Sequence, residues 1–265
     1  MRFKRFAQQQ LHDVRLKAQY LPESLSASLF NLQDNDGNTL ALYESDYNKL
    51  KAYLIKQDLI IENATRAQLE NAIAQSKVKV IKYFSQENLA PCELQAITTH
   101  FDSSGTIVTK GGVTLKKEGH QNCVVMVNDK YGKQHIYAHP KVRSVPGDVV
   151  GVSHSSLSQG NKVQFAGSFV HTTDKGWVIE NTTGHFGTRP ANMILFLETL
   201  KKQQHDLSQL TVKLWVPKDV KHPGVEEKDY TIHYENALTF LERTQKSKAA
   251  IDAVLPISRR PSISR

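Results

Sequence analysis

Residues 163–179 read VQFAGSFVHTTDKGWVI. Val163, Phe165, Gly167 and Phe169 alternate with polar or small residues, Thr173-Asp174-Lys175-Gly176 has turn composition, and Trp177 and Ile179 resume the alternation. A period of two on either side of a glycine turn predicts an antiparallel hairpin, because successive side chains of a strand point to opposite faces. A second hairpin is spelled upstream, where Cys123-Val124-Val125-Met126-Val127 is apolar, Asp129-Lys130-Tyr131-Gly132 turns, and Gln134 to His139 returns. Downstream, Pro190 opens a helix running to about Gln203, with Met193, Leu197 and Leu200 on one face and Thr188 or Arg189 as its cap. Leu210 to Val216 then closes the unit as a strand.

Before residue 78 the spacing is helical. Phe3, Phe6, Leu11, Val14, Ala18 and Leu21 fit a basic amphipathic helix over 3–21. After the turn signal Asn35-Asp36-Gly37-Asn38, a helix over Tyr47 to Gln57 places Leu50, Tyr53 and Leu54 on one side, and Thr65 caps another over 65–75. The expected fold is α+β: N-terminal helices followed by a mostly antiparallel sheet with a packed C-terminal helix. Three parts follow, namely a helical region over 1–76, an α+β functional domain over 77–242 and a basic disordered tail over 243–265. The tail has too few apolar residues to pack a core.

The chain has 265 residues, 39% of them hydrophobic, enough for one sizeable core. No stretch of about 18 apolar residues exists to span a bilayer. Glutamines follow Met1-Arg2-Phe3-Lys4-Arg5 where a signal peptide would need its apolar run, so a soluble cytosolic product is expected. Only Cys92 and Cys123 are present, which fits a reducing compartment. The net charge of +8 is concentrated at the ends: residues 1–17 carry five Lys/Arg against one Asp, and residues 243–265 six against one. The body between them is nearly neutral, which argues against a nucleic-acid partner, since duplex binding needs cations clustered on the folded surface. His135 and His139 are spaced i, i+4 in a predicted strand, where that offset forms no ligand face, and no metal site is expected.

One ordered series of residues carries a family resemblance. His154-Ser155-Ser156-Leu157, Gly160, Ala166-Gly167, Gly176, Asn181, Thr183-Gly184-His185-Phe186 and Pro190 follow one another at fixed spacing. This resembles the His-Ser-Ser-Phe, Ala-Gly, Ser-Gly-His-Tyr and Pro pattern in the C-terminal domain of plant IQ-motif calmodulin-binding proteins and of bacterial effectors and polymorphic toxins. The resemblance covers about 78–216. Thr183 stands for Ser and Phe186 for Tyr, Gly187-Thr188 replace the usual Arg and Pro, and the IQ motif is absent, so calmodulin binding is not carried over.

The same residues have a physical rationale. Thr182 to Arg189 leads into a helix whose first N–H groups lack partners, an anion-binding geometry in which Arg189 could grip a phosphate or carboxylate in a fork. His154 and His185 bracket the region, and either can exchange a proton near neutrality. Glu180 stands next to Asn181 on the strand that enters the loop. With the resemblance, these residues imply an effector- or toxin-like enzyme acting on a host protein after export into a host cell, with ADP-ribosyl transfer from NAD as the reaction. His154, His185 and Glu180 are then the catalytic candidates. Ser155, Ser156, Asn181, Thr183, Gly184 and Arg189 would bind NAD or another nucleotide-like ligand. The alternative is a non-enzymatic protein- or ligand-binding module of a secreted effector.

Overall fold

The structure is a computed structural model and describes residues 27–96, 100–101, 105–117, 119–183, 186, 188–217 and 230–254. The helix expected over 3–21 and residues 255–265 lie outside the described residues, as do Gly184 and His185. The fold is α+β. Two sheets hold it together. The larger has strand order β5(Gln134–Pro140), β4(Gln121–Asn128), β6(Phe165–Thr172), β7(Gly176–Glu180), β8(Thr211–Pro217), β9(Tyr230–Asn236). Every pairing in it is antiparallel except β7 with β8, which the helix α5(Pro190–Lys202) connects as a crossover. Both hairpins expected from the sequence are present, β4–β5 and β6–β7.

Alternation along these strands gives the sheet two apolar faces. Val124, Met126, Phe165, Phe169, Trp177, Ile179, Val212 and Leu214 pack beneath α5 and the C-terminal helix α6(Ala237–Val254). Phe165 stacks on Phe196 of α5 with ring centroids 4.2 Å apart and an interplanar angle of 17°. On the other face Cys123, Val125 and Ala166 pack with Leu157, Val163 and Phe186. Gly167 is dictated by close approach, since a Cβ there would lie 2.2 Å from the Glu180 carbonyl oxygen.

The smaller sheet corrects the helix-first expectation. Residues 27–83 contain the strands β1(Ala27–Gln33), β2(Thr39–Tyr43) and β3(Val80–Tyr83), paired antiparallel in that order around the Asp34–Asn38 turn. The helices α1(Glu44–Lys56) and α2(Arg66–Ser76) form where expected. Thr65 caps α2: its hydroxyl accepts the Gln68 N–H, and the Gln68 side chain in turn accepts the Thr65 N–H at 2.8 Å. β3 continues into the larger assembly, because the Lys82 N–H donates to Gly151 O and the Phe84 N–H to Ser156 O. Two short helices, α3(Gln86–Leu89) and α4(His154–Ser158), cover the second face of the large sheet. The tail expected to begin at 243 is helical as far as Val254. Its composition alone would not order it, but β9 supplies partners: Arg243 pairs with Glu235, and Thr244 is buried.

His205 follows α5 and is only 5% exposed, and neither ring nitrogen has a hydrogen-bond partner among the described residues. Burial pushes its pKa down from 6.5 to about 4. Between these values the unfolded chain takes up a proton that the folded chain refuses, so stability is lost as pH falls from about 6.5 towards 4. A His205→Leu variant should lack this component, on the order of 3 kcal/mol. Urea melts of both proteins at pH 7 and pH 4.5 check it: equal losses in the two would show that the imidazole is not the cause.

Candidate functional site

The region singled out in the sequence is assembled, but as framework. His154 opens a five-residue helix, since Ser153 and Ser156 form a cap in which the Ser153 N–H donates to Ser156 Oγ at 2.9 Å. His154 is 3% exposed, Ser155 1% and Ser156 0%. The His154 Nε2–H donates to the Gly167 carbonyl at 2.6 Å, with the ring edge-on to Phe186. Ser155 Oγ is 2.8 Å from Ser153 Oγ.

The loop after β7 is held in a similar way. β7 pairs with β6 only from Ser168 onward. Beyond that point side chains take over: Thr188 Oγ1 donates to the Ala166 carbonyl at 2.6 Å and Asn192 Nδ2 to the Gln164 carbonyl at 2.8 Å. Asn181 extends the pairing with β8, accepting the Trp215 N–H at 2.8 Å and donating to its carbonyl at 3.0 Å. Thr183 Oγ1 accepts the Phe186 N–H at 2.7 Å and donates to its carbonyl at 2.6 Å. Glu180 is engaged at both oxygens, by Lys213 Nζ at 2.8 Å and by Thr182 Oγ1 at 3.0 Å. Arg189 is exposed and occupies the cap position of α5, its N–H donating to Asn192 Oδ1.

Seven of the nine candidates are thus placed near one another, and six of the seven are committed to internal bonds. Both cysteines are buried, and desolvation raises the thiols, Cys92 to about 11 and Cys123 to about 12, so neither forms a thiolate readily.

A different cluster lines an open groove of about 770 Å³ beside α4. Leu89, Leu157, Val127 and Tyr137 give it apolar walls, and Gln86, Asn161 and Lys162 stand exposed at its rim. At one side His135 Nδ1 lies 2.7 Å from Glu93 Oε1, while His135 Nε2 lies 3.4 Å from Asp129 Oδ2. The His135 ring stacks on Tyr137 at 6.0 Å with an interplanar angle of 7°. Burial, reinforced by Glu93 and Asp129, pushes the Tyr137 phenol up to about 12, so it stays protonated and can donate. Asp129 is held below the usual carboxylate range, chiefly by the Lys133 N–H, with Tyr131 and His135 adding to it against a desolvation that opposes them. Two smaller hollows, of about 300 and 370 Å³, flank Arg66 on the small sheet. The first also gathers charged groups, Asp34, Arg66, Glu70 and Asp148, but holds no histidine or tyrosine, and its Arg66 is paired with Glu70 at 2.8 Å.

Sequence reasoning passed over Glu93, Asp129 and Tyr137 and weighed His135 only as a metal ligand. The legible signal was the Asp129 turn joined to His135 and Tyr137, which alternate on one strand face. Glu93, 42 residues from His135, leaves no local trace. Compared with known protein families, curated proteins and solved structures, the chain matches none.

His154→Ala should lower stability by about 2–4 kcal/mol, because it removes buried packing and the buried hydrogen bond to Gly167. Arg189→Ala, at an exposed position, should change it by less than about 0.5 kcal/mol. Denaturant melts of the pair decide this, and a mild His154→Ala phenotype would show that the ring is not part of the framework.

Proposed function

We propose that this chain is a binding module whose ligand, a small polar molecule or a short segment of a host protein, lies in the groove between α4 and the β4–β5 hairpin. The observation that carries this reading is the groove itself: about 770 Å³, apolar below, polar at the rim, with His135, Asp129 and Tyr137 converging on one side. A concave site of that size with few, converging polar groups is the usual form of a small-ligand site. The non-enzymatic alternative is favoured over transfer from NAD by the state of the transfer candidates. A ribose and pyrophosphate would have to reach His154, Ser155 and Ser156, which lie inside the protein, and Glu180, whose two oxygens are occupied. Among the described residues no helix is long and apolar enough to cross a membrane.

Two measurements test the proposal. A fragment set screened by amide NMR should shift the resonances of Asp129, Tyr137 and Gln159 together, and Asn161→Ala with Lys162→Ala should weaken those fragments several-fold without changing the melt. Hits spread evenly over the surface would sink the groove reading. NAD should leave the unfolding temperature unchanged, whereas a true ligand at 100 times its Kd adds about 2.7 kcal/mol. Clear stabilisation by NAD, or a mass increase of a target protein incubated with it, would restore the transferase.

A further inference from the structure

We infer that Glu93, His135 and Asp129 form a proton-dependent clasp on the groove wall. A carboxylate accepts and cannot donate, and a neutral imidazole has one N–H and one lone pair. His135 faces carboxylate oxygens at both nitrogens, 2.7 Å from Glu93 and 3.4 Å from Asp129. Both contacts are hydrogen bonds only when both nitrogens carry protons. In the neutral ring the shorter contact keeps the proton on Nδ1, and Nε2 then turns a lone pair towards Asp129 Oδ2, which repels it.

The clasp joins separate pieces of chain. Glu93 follows the 3₁₀ turn Ala90–Cys92 and is bridged to Tyr137 of β5. Asp129 is the first residue of the hairpin turn, and its Oδ1 accepts the N–H groups of Tyr131 at 2.8 Å and Lys133 at 2.9 Å. Tyr137 stacks on the imidazole, Lys110 lies 3.8 Å from Glu93 Oε2, and Lys162 lines the same groove. Loss of the proton therefore frees Asp129 Oδ2, removes one positive charge from the groove and loosens the turn from its neighbour. A histidine is suited to this because its ordinary titration falls between pH 5 and 8. The clasp needs no ligand, but its service as a regulator of binding rests on the groove reading above.

The test follows the His135 ring and the backbone amides of the full chain by NMR between pH 5 and 8. The Tyr131 and Lys133 amides should move with the same midpoint as the His135 ring, and His135→Gln should abolish that step while the rest of the spectrum superimposes. Amides that stay flat through the ring's titration, or that step unchanged in His135→Gln, overturn the clasp. Should that variant fail to fold, the Asp129 carboxyl carbon of the wild-type chain decides: it moves with the ring if the clasp exists and ignores it if not. A failed fragment screen with coupled amides would remove only the groove reading, whereas uncoupled amides with groove-bound fragments would remove only the clasp.

Discussion

The hydrogen-bonding needs of β6 govern much of this structure. A buried carbonyl without a partner costs about 1–3 kcal/mol, and β6 runs through the middle of the sheet where water cannot help. β7 reaches it only from Ser168 onward, so the carbonyls of Gln164 and Ala166 turn to the side chains of Asn192 and Thr188, while that of Gly167, opposite Val124 of β4, accepts from His154. Each of these residues comes from a different piece of chain. Meeting the needs of one strand therefore fixes α4, the loop after β7 and the start of α5. That is why residues so suggestive of chemistry in one dimension are framework in three: a histidine, threonine or asparagine that satisfies a backbone carbonyl is chosen for the same hydrogen-bonding capacity that a catalytic role would need.

The elements that could be read in the sequence are those with local signatures. Thr65 and Pro190 mark helix starts by capping chemistry, and the Asp129–Gly132 and Thr173–Gly176 turns mark hairpins. The small sheet escaped because Leu40, Ala41 and Leu42 of β2 are all buried, so the alternation by which a half-exposed strand is recognised is missing. α4 escaped because five residues are too few to show a helical period, and its cap ends in Ser156 rather than a glutamate or glutamine. The groove escaped for another reason. Its walls come from 86–89, 127–137 and 157–162, and only the completed sheet brings Glu93 against His135.

The location of the groove follows from how the second face of the sheet is covered. α3, α4 and the chain around Val163 bury Cys123, Val125 and Ala166, but this cover ends before the tip of the β4–β5 hairpin. Val127 and Tyr137 are left partly covered, so the apolar interior opens directly onto Asp129 and His135. A polar cluster beside exposed apolar surface is half desolvated, which strengthens its electrostatics while leaving it reachable. His154, by contrast, is sealed in by Phe186.

The Glu180–Lys213 pair has its best explanation in register. β7 and β8 form the one parallel pairing among the described strands, and it comprises only Val178↔Thr211, Ile179↔Val212 and Glu180↔Lys213. So short a ladder specifies its alignment weakly through the backbone. A slip by one residue would set Glu180 against Val212 or Leu214 and leave a buried charge alone, a state that costs about 3–5 kcal/mol. In register, the Lys213 ammonium meets Glu180 at 2.8 Å and also lies 4.9 Å from the Trp215 ring and 5.9 Å from Tyr234. These contacts offset part of its desolvation. The same alignment brings Asn181 to the backbone of Trp215 and so starts the loop that serves β6. A salt bridge worth little as net stabilisation thereby excludes the alternative pairing, and the framework around β6 depends on that exclusion.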